Sequence, residues 1–296
     1  MSINQILNKF ILFVNYEQRL SKNTVDAYKK DLSKYINHLE ESDIKNVKNI
    51  NYNDIRSFVV NLSKKNYKPS SINRNISSIK KFHQYMVDFN ILDINASELV
   101  EFQKHRKNYP DSLSFNEINL IMNQVSEDCF IGIRDMSILT LLYSTGIRVS
   151  ELINLKLSNI YFKEEYIQVM GKGNKERIAP LGIVAKNALH KYLDSIKLNS
   201  IKSDAGYIYI SYRSKKLTRM SVYNIIKKYV KLAEINKNVS PHTIRHSFAT
   251  HMIEGGADLR IVQELLGHEN ISTTEIYTHL DKTYLKEVHK LCHPRG

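Results

Sequence analysis

Across the first hundred residues apolar side chains recur at steps of three and four, a spacing that commits this part of the chain to packed amphipathic helices. Ile3, Ile6, Leu7, Phe10, Ile11 and Val14 mark one stripe, and after Ser21 and Asn23 a second runs through Val25, Tyr28, Leu32, Tyr35 and Leu39. A third helix is predicted after Asn53, with Ile55, Phe58, Val59 and Leu62, and a fourth after Ser70, with Ile72, Ile76, Ile79, His83 and Met86. No strand pattern interrupts them.

Residues 103–113 are polar, basic and contain Pro110, the composition of an interdomain linker. The chain of 296 residues is therefore expected to form a helical domain, 1–107, and a second domain, 108–296. The second opens with a capping box, Ser114-Phe-Asn-Glu117, ahead of Ile118, Ile121, Met122 and Val125. A more apolar helix follows from Ile131 to Tyr143, and a short one after Arg148 carries Glu151, Leu152 and Leu155. The period then changes. Residues 166–170 and 176–180 read as two strands joined by the glycine-rich turn Gly171-Lys-Gly-Asn174. Helices resume at 183–196, 218–233, 241–254 and 259–266, with an edge strand suggested at 207–210.

Composition removes several classes. Hydrophobic residues at 42%, charged residues at 25%, ten Gly and five Pro argue against a disordered, fibrous or low-complexity chain. Cys129 and Cys292 stand far apart with no CxxC pair, which excludes a disulfide framework and a zinc ribbon and points to a reduced, cytoplasmic setting. Apolar runs such as Phe10-Ile-Leu-Phe-Val14 fall far short of the ~18 residues a membrane span needs, and no signal-peptide pattern opens the chain.

A net charge of +13 suits a polyanionic partner, nucleic acid being the commonest, although a Lys-rich, Asn-rich and Ile-rich composition also follows from an AT-rich genome. Distribution says more than the total. Between residues 45 and 81 lie Lys45, Lys48, Arg56, Lys64, Lys65, Lys68, Arg74, Lys80 and Lys81, against the single acid Asp54. On the helix after Ser70, Arg74, Ser78 and Lys81 are expected to project opposite Ile72, Ile76 and Ile79, on a face that fits either a DNA groove or plain solvent.

The densest polar segment is Ser240-Pro-His-Thr-Ile-Arg-His-Ser-Phe-Ala-Thr250. Proline suits a first helical turn, and His242 and Arg245 then share one face near the N-terminus, where free backbone donors favour an anion such as phosphate. His242 and His246 have zinc spacing, but no HExxH, third ligand or nearby Cys accompanies them, so no metal site is expected; His246 and His251 read as packing or surface residues. Spacing alone assigns no role to His268 or to Tyr277.

Five segments together are more specific. In their order and spacing, Thr145-Gly-Ile-Arg-Val-Ser-Glu-Leu152, Gly171-Lys-Gly-Asn-Lys-Glu-Arg177, Pro241-His-Thr-Ile-Arg-His246, Leu266-Gly-His268 and Thr273-Thr-Glu-Ile-Tyr-Thr-His279 resemble the tyrosine site-specific recombinases, a phage-integrase-like family. Cys292-His-Pro-Arg-Gly296 and the helix with Ser70, Ser71, Arg74, Phe82 and Tyr85 resemble its bacterial Xer branch. The resemblance implies a mainly α fold: an N-terminal helical-bundle (SAM-like) core-binding domain and a mostly α catalytic domain with a small antiparallel β-sheet, closing as a C-shaped DNA clamp.

Carried over residue by residue, the resemblance makes Arg148, His242, Arg245 and His268 the cradle of a scissile phosphate, Lys172 the general acid, Tyr277 the nucleophile and Glu151 a supporting acid, with Arg74, Ser78 and Lys81 on DNA. Fixed guanidinium and imidazolium donors can stabilise charge on a phosphodiester in transit, so neither a metal ion nor another cofactor is implied. A phenol is also a competent leaving group, so a phosphotyrosyl ester can be rejoined without ATP. The expected function is site-specific DNA recombination that resolves chromosome dimers at cell division; the alternative is an integrase of a phage or mobile element. The implied partners are double-stranded DNA, a second Xer-type recombinase in a tetrameric synaptic complex, and an FtsK-type translocase, with no membrane. Residues 281–291 are expected to dock on a neighbouring protomer of that tetramer.

Overall fold

In a computed structural model the chain divides into two compact units, Met1–Lys107 and Asn108–Gly296. The structure describes residues 2–18, 20–104, 112–171, 176–198, 206–267 and 282–296.

The first unit is built from α1 (Ile3–Leu12), α2 (Lys22–Glu41), α3 (Tyr52–Lys64) and α4 (Pro69–Asp88). Their apolar stripes close around Phe10, whose ring meets Tyr28, Phe82 and Tyr85 edge-on at centroid distances of 5.7, 5.4 and 5.3 Å. Leu32, Tyr35, Leu39, Ile55 and Phe82 are fully buried beside it, each apolar side chain of this size contributing about 1.5–3 kcal/mol. Capping chemistry sets the starts. The Asn51 side chain and Asp54 form a reciprocal box, so α3 begins two residues before the position expected from Asn53. Pro69 occupies the first turn of α4, where its missing N–H costs nothing, so that helix begins ahead of Ser70. His83 lies in the core with Nε2 3.1 Å from the Tyr35 hydroxyl, and burial pushes its pKa down to about 4.

One expectation about α4 is corrected. Ser78 does not stand on an open face: it is 3% exposed, and its hydroxyl donates to Asp31 Oδ2 at 3.2 Å and to the Arg74 carbonyl at 3.0 Å. Helical periodicity places Ser78 above Arg74 correctly, but α2 packs there and presents a buried carboxylate. Arg74 pairs with the same carboxylate at 3.0 Å while keeping half of its side chain exposed. Lys81 is half-buried.

The second unit comprises α5 (Phe115–Asn123), α6 (Phe130–Thr145), α7 (Val149–Asn154), β1 (Ile160–Tyr161), β2 (Tyr166–Met170), β3 (Glu176–Pro180), α8 (Ile183–Leu198), α9 (Arg219–Leu232), α10 (Pro241–Glu254), α11 (Leu259–Leu266) and α12 (Lys282–Cys292). The Ser114 box forms as expected, with Glu117 N–H donating to Ser114 Oγ at 3.2 Å and Ser114 N–H to Glu117 Oε2 at 2.8 Å. α6 is the central element. Ile138, Leu139, Leu141, Leu142 and Tyr143 are all buried, so it lacks a polar face and packs on several sides.

The sheet is antiparallel in the order β1-β2-β3, with Ile167 opposite both Ile160 and Ala179, and Val169 opposite Arg177. β1 was not expected, since two residues are too short for an alternation to register. Residues 207–210 do not form an edge strand. They make isolated bridges, Lys156 with Tyr207 and Ile210 with Lys216, and bury Ile208, Tyr209 and Ile210. Their apolar character reflects burial rather than a ladder.

In the single chain α12 packs on its own unit, where Leu285 joins Phe248, Met252, Val262 and Leu265 in a small core and His289 Nε2 donates to the Ser144 carbonyl at 2.6 Å. Among the described residues no helix is long and apolar enough to cross a membrane.

Candidate active site

The end of α6 determines where the first arginine goes. Gly146 caps that helix at φ 58°, a left-handed conformation, and a Cβ there would strike the Phe248 ring at 2.4 Å, so the turn requires glycine. Two residues on, Arg148 sits at the N-cap of α7, and Glu151 reaches back to accept from its backbone N–H at 2.7 Å. The same carboxylate accepts from Arg148 Nη1 at 3.0 Å. The expected spacing of Arg148 and Glu151 is thus realised as one turn of helix closed by an ion pair.

α10 supplies the second arginine. Ser240 caps it and Pro241 fills its first turn, which leaves His242 exposed at the helix start and turns Arg245 inward, where it is buried. Arg245 donates through Nη1 to the Gly146 carbonyl at 2.6 Å and through Nη2 to the Leu266 carbonyl at 2.5 Å. Burial, then the adjacent charges of Arg148 and Arg177, pull its pKa down to about 9, which still leaves it charged at neutral pH.

The third arginine comes from the sheet. Arg177 on β3 donates through Nη2 to Glu151 Oε2 at 2.7 Å and through Nη1 to the Leu265 carbonyl. Burial lowers its pKa, while Glu151 acts in the opposite direction.

Three consecutive carbonyls at the C-terminal end of α11 therefore receive three different guanidiniums: Leu265 takes Arg177, Leu266 takes Arg245, and Gly267 takes Arg148 Nη2 at 3.0 Å. A helix leaves its last carbonyls without partners and carries partial negative charge there, so this end suits arginine. Gly267 closes the helix at φ 65°, and a Cβ on it would meet Arg177 Cδ at 2.7 Å. Each guanidinium has five N–H groups, so donors remain after these bonds. Three cations around one carboxylate form a pocket that attracts an anion with several oxygens, as a phosphate has.

Residues 111–283 match the phage integrase family, and residues 7–89 match the N-terminal SAM-like domain of phage integrases. The chain belongs to the phage integrase family of tyrosine recombinases. It is 39% identical to the tyrosine recombinase XerD of Oceanobacillus iheyensis, over 98% of both chains. It is 38% identical to XerD of Chlorobaculum tepidum, over 98% of this chain and 96% of that one. Among solved structures it resembles the XerA recombinase at 30% identity and a TM-score of 0.51, over 99% of each chain. The XerH recombinase bound to palindromic difH substrate shares the fold at a TM-score of 0.73 and 20% identity, over 96% of this chain and 83% of that one. The recombinase is accordingly an enzyme that breaks and rejoins DNA strands.

Of the residues expected at the site of this recombinase, the structure brings Arg148, Glu151 and Arg245 together and places His242 one turn before Arg245 on α10. Lys172, His268 and Tyr277 lie outside the described residues. His251 is a packing residue, with Nδ1 2.8 Å from the buried Tyr143 hydroxyl. Arg177 lies inside a matched motif, Gly171–Arg177, that carries no expected role for it. A signal was available: the hairpin register sets Arg177 opposite Val169, and cross-strand partners share a face, so a buried Val169 implies an inward arginine.

Proposed function

We propose that this recombinase cuts and rejoins DNA at a short, partly palindromic site through a 3′-phosphotyrosyl intermediate on Tyr277, and that the reaction resolves chromosome dimers at cell division. Arg148 and Arg245 hold the non-bridging oxygens of the scissile phosphate, with His268 completing the cradle. The Tyr277 oxygen forms a bond to phosphorus and loses its proton to His242. The bond to the 5′ oxygen breaks, and Lys172 supplies the proton that this oxygen takes up. Reversal with a different 5′ end joins the recombinant strand. Glu151 orients Arg148, and Arg74 and Lys81 contact the duplex from the first unit. A second Xer-type recombinase completes a tetrameric synapse, an FtsK-type translocase activates it, and the reaction takes place in the cytoplasm.

The observation that carries this reading is the seating of Arg148 and Arg245 on the adjacent Gly267 and Leu266 carbonyls beside Glu151, because each preorganised donor aimed at developing charge is worth about 10²–10³ in rate. Similarity to XerD proteins along the whole chain favours dimer resolution over integration. The test begins with footprinting on DNA from the host chromosome terminus. A plasmid carrying two copies of the protected site is then incubated, in EDTA, with the recombinase and its partner. Resolution into two circles is expected, with none from a scrambled site. Relaxation regardless of sequence would indicate a topoisomerase-like activity instead, and strand exchange confined to a phage attachment site would favour the integrase alternative.

A further inference from the structure

We propose that Arg177 is a positioning residue for strand cleavage, acting through Glu151 and the C-terminal end of α11 without touching the phosphate. The inference rests on the reading that Arg148 and Arg245 hold the scissile phosphate. Two observations carry it. The first is electrostatic. The Glu151 side chain, only 2% exposed, lies 3.0 Å from Arg148 Nη1, and a carboxylate so close cancels much of the field that Arg148 can direct at an anion. Arg177, on the other carboxylate oxygen at 2.7 Å, offsets that charge. With it the cluster of Arg148, Arg177, Arg245 and Glu151 carries two net positive charges; without it, one.

The second observation is geometric. Arg177 holds Leu265, the first of the three carbonyls whose neighbours, Leu266 and Gly267, orient Arg245 and Arg148. A shift of that helix end moves both phosphate-binding groups together, and a displacement of about 1 Å at a reacting centre costs roughly 10²-fold in rate. The position also bears a cost that packing alone does not require. Arg177 is 10% exposed, and its Nε–H has no hydrogen-bond partner among the described residues. Removing one partner of a buried pair also destabilises, so thermal unfolding measured beside cleavage separates a loss of fold from a loss of positioning.

The test uses the full-length protein and a nicked suicide DNA, with four readouts: single-turnover formation of the covalent complex, binding to the intact site, thermal unfolding, and a double-mutant cycle with Glu151→Gln. Arg177→Met is expected to slow cleavage roughly 10²-fold, with binding changed less than about threefold. Arg177→Lys, which restores charge without the two-pronged grip, should recover part of the rate. In the Glu151→Gln background, where no carboxylate needs offsetting, Arg177→Met should cost at least about fivefold less than in the wild type. Wild-type cleavage by Arg177→Met, or an equal loss in both backgrounds, would overturn the proposal. Arg148→Ala separates the two layers of inference. If it cleaves normally, the phosphate reading itself fails; if it is inactive while Arg177→Met is not, only the role of Arg177 falls.

Discussion

Arg245→Ala is expected to slow covalent complex formation by about 10²–10³-fold, the usual cost of removing one preorganised donor from a developing oxyanion. The expectation follows from how Arg245 is held. Its guanidinium is buried and already bonded to the Gly146 and Leu266 carbonyls at 2.6 and 2.5 Å, so it does not have to be ordered when the phosphate arrives. Lysine cannot substitute for it. A single ammonium lacks the planar fork that spans two carbonyls and still presents a donor to a phosphate, so Arg245→Lys should recover little activity. Binding to the intact site should change less than about threefold, because affinity for duplex DNA is spread over many phosphate contacts. Single-turnover cleavage measured alongside a binding titration separates the two quantities. An unchanged cleavage rate would remove Arg245 from the chemistry.

Asp135→Ala is expected to have the largest effect on stability. On α6, Arg134 donates through Nε and Nη2 to Asp135 Oδ1 at 3.0 and 2.7 Å, and the Tyr229 hydroxyl donates to Oδ2 at 3.1 Å. Both charged side chains are buried, so removing the carboxylate strands a guanidinium away from water and leaves a phenol without its acceptor. Breaking a buried pair from one side costs about 3–5 kcal/mol. For a unit of this size each kcal/mol shifts Tm by about 2–4 °C, so a fall on the order of 10 °C is expected in a thermal melt. Asp135→Asn, which keeps an acceptor but not the charge, should fall between the two. A melt within a degree of wild type for Asp135→Ala would show that the pair is not a structural requirement.

Much of the fold was legible because it is local. The stripes through Phe10, Leu32, Phe58 and Ile76 specify amphipathic helices, the Ser114 box marks a start, and the change from helical to alternating period marks β2 and β3. What escaped was decided by neighbours distant in sequence. Ser78 was expected on the polar face opposite Ile72, Ile76 and Ile79, yet α2 brings Asp31 against it, forty-seven residues away, and periodicity within one helix has no knowledge of that carboxylate. Arg134 and Asp135 likewise give no sign of burial from their own positions. In the site, Arg148 and Glu151 were legible through the family resemblance, and their spacing of three fits one turn of a short helix, whereas Arg177 depends on a strand register and on a helix end eighty-eight residues further on. The tendency of Leu265, Leu266 and Gly267 to collect arginines is a property of the folded helix terminus and not of those residues' side chains.

The central claim is that the arginine pocket serves attack on DNA by Tyr277. Its most direct test is to incubate the protein with a nicked suicide DNA, digest the covalent product with protease and identify the modified residue by mass spectrometry. The account predicts a 3′-phosphate ester on Tyr277, formed equally well in EDTA and absent from Tyr277→Phe protein that still binds the site. A covalent complex formed by Tyr277→Phe, or a DNA adduct on any other side chain, would contradict it.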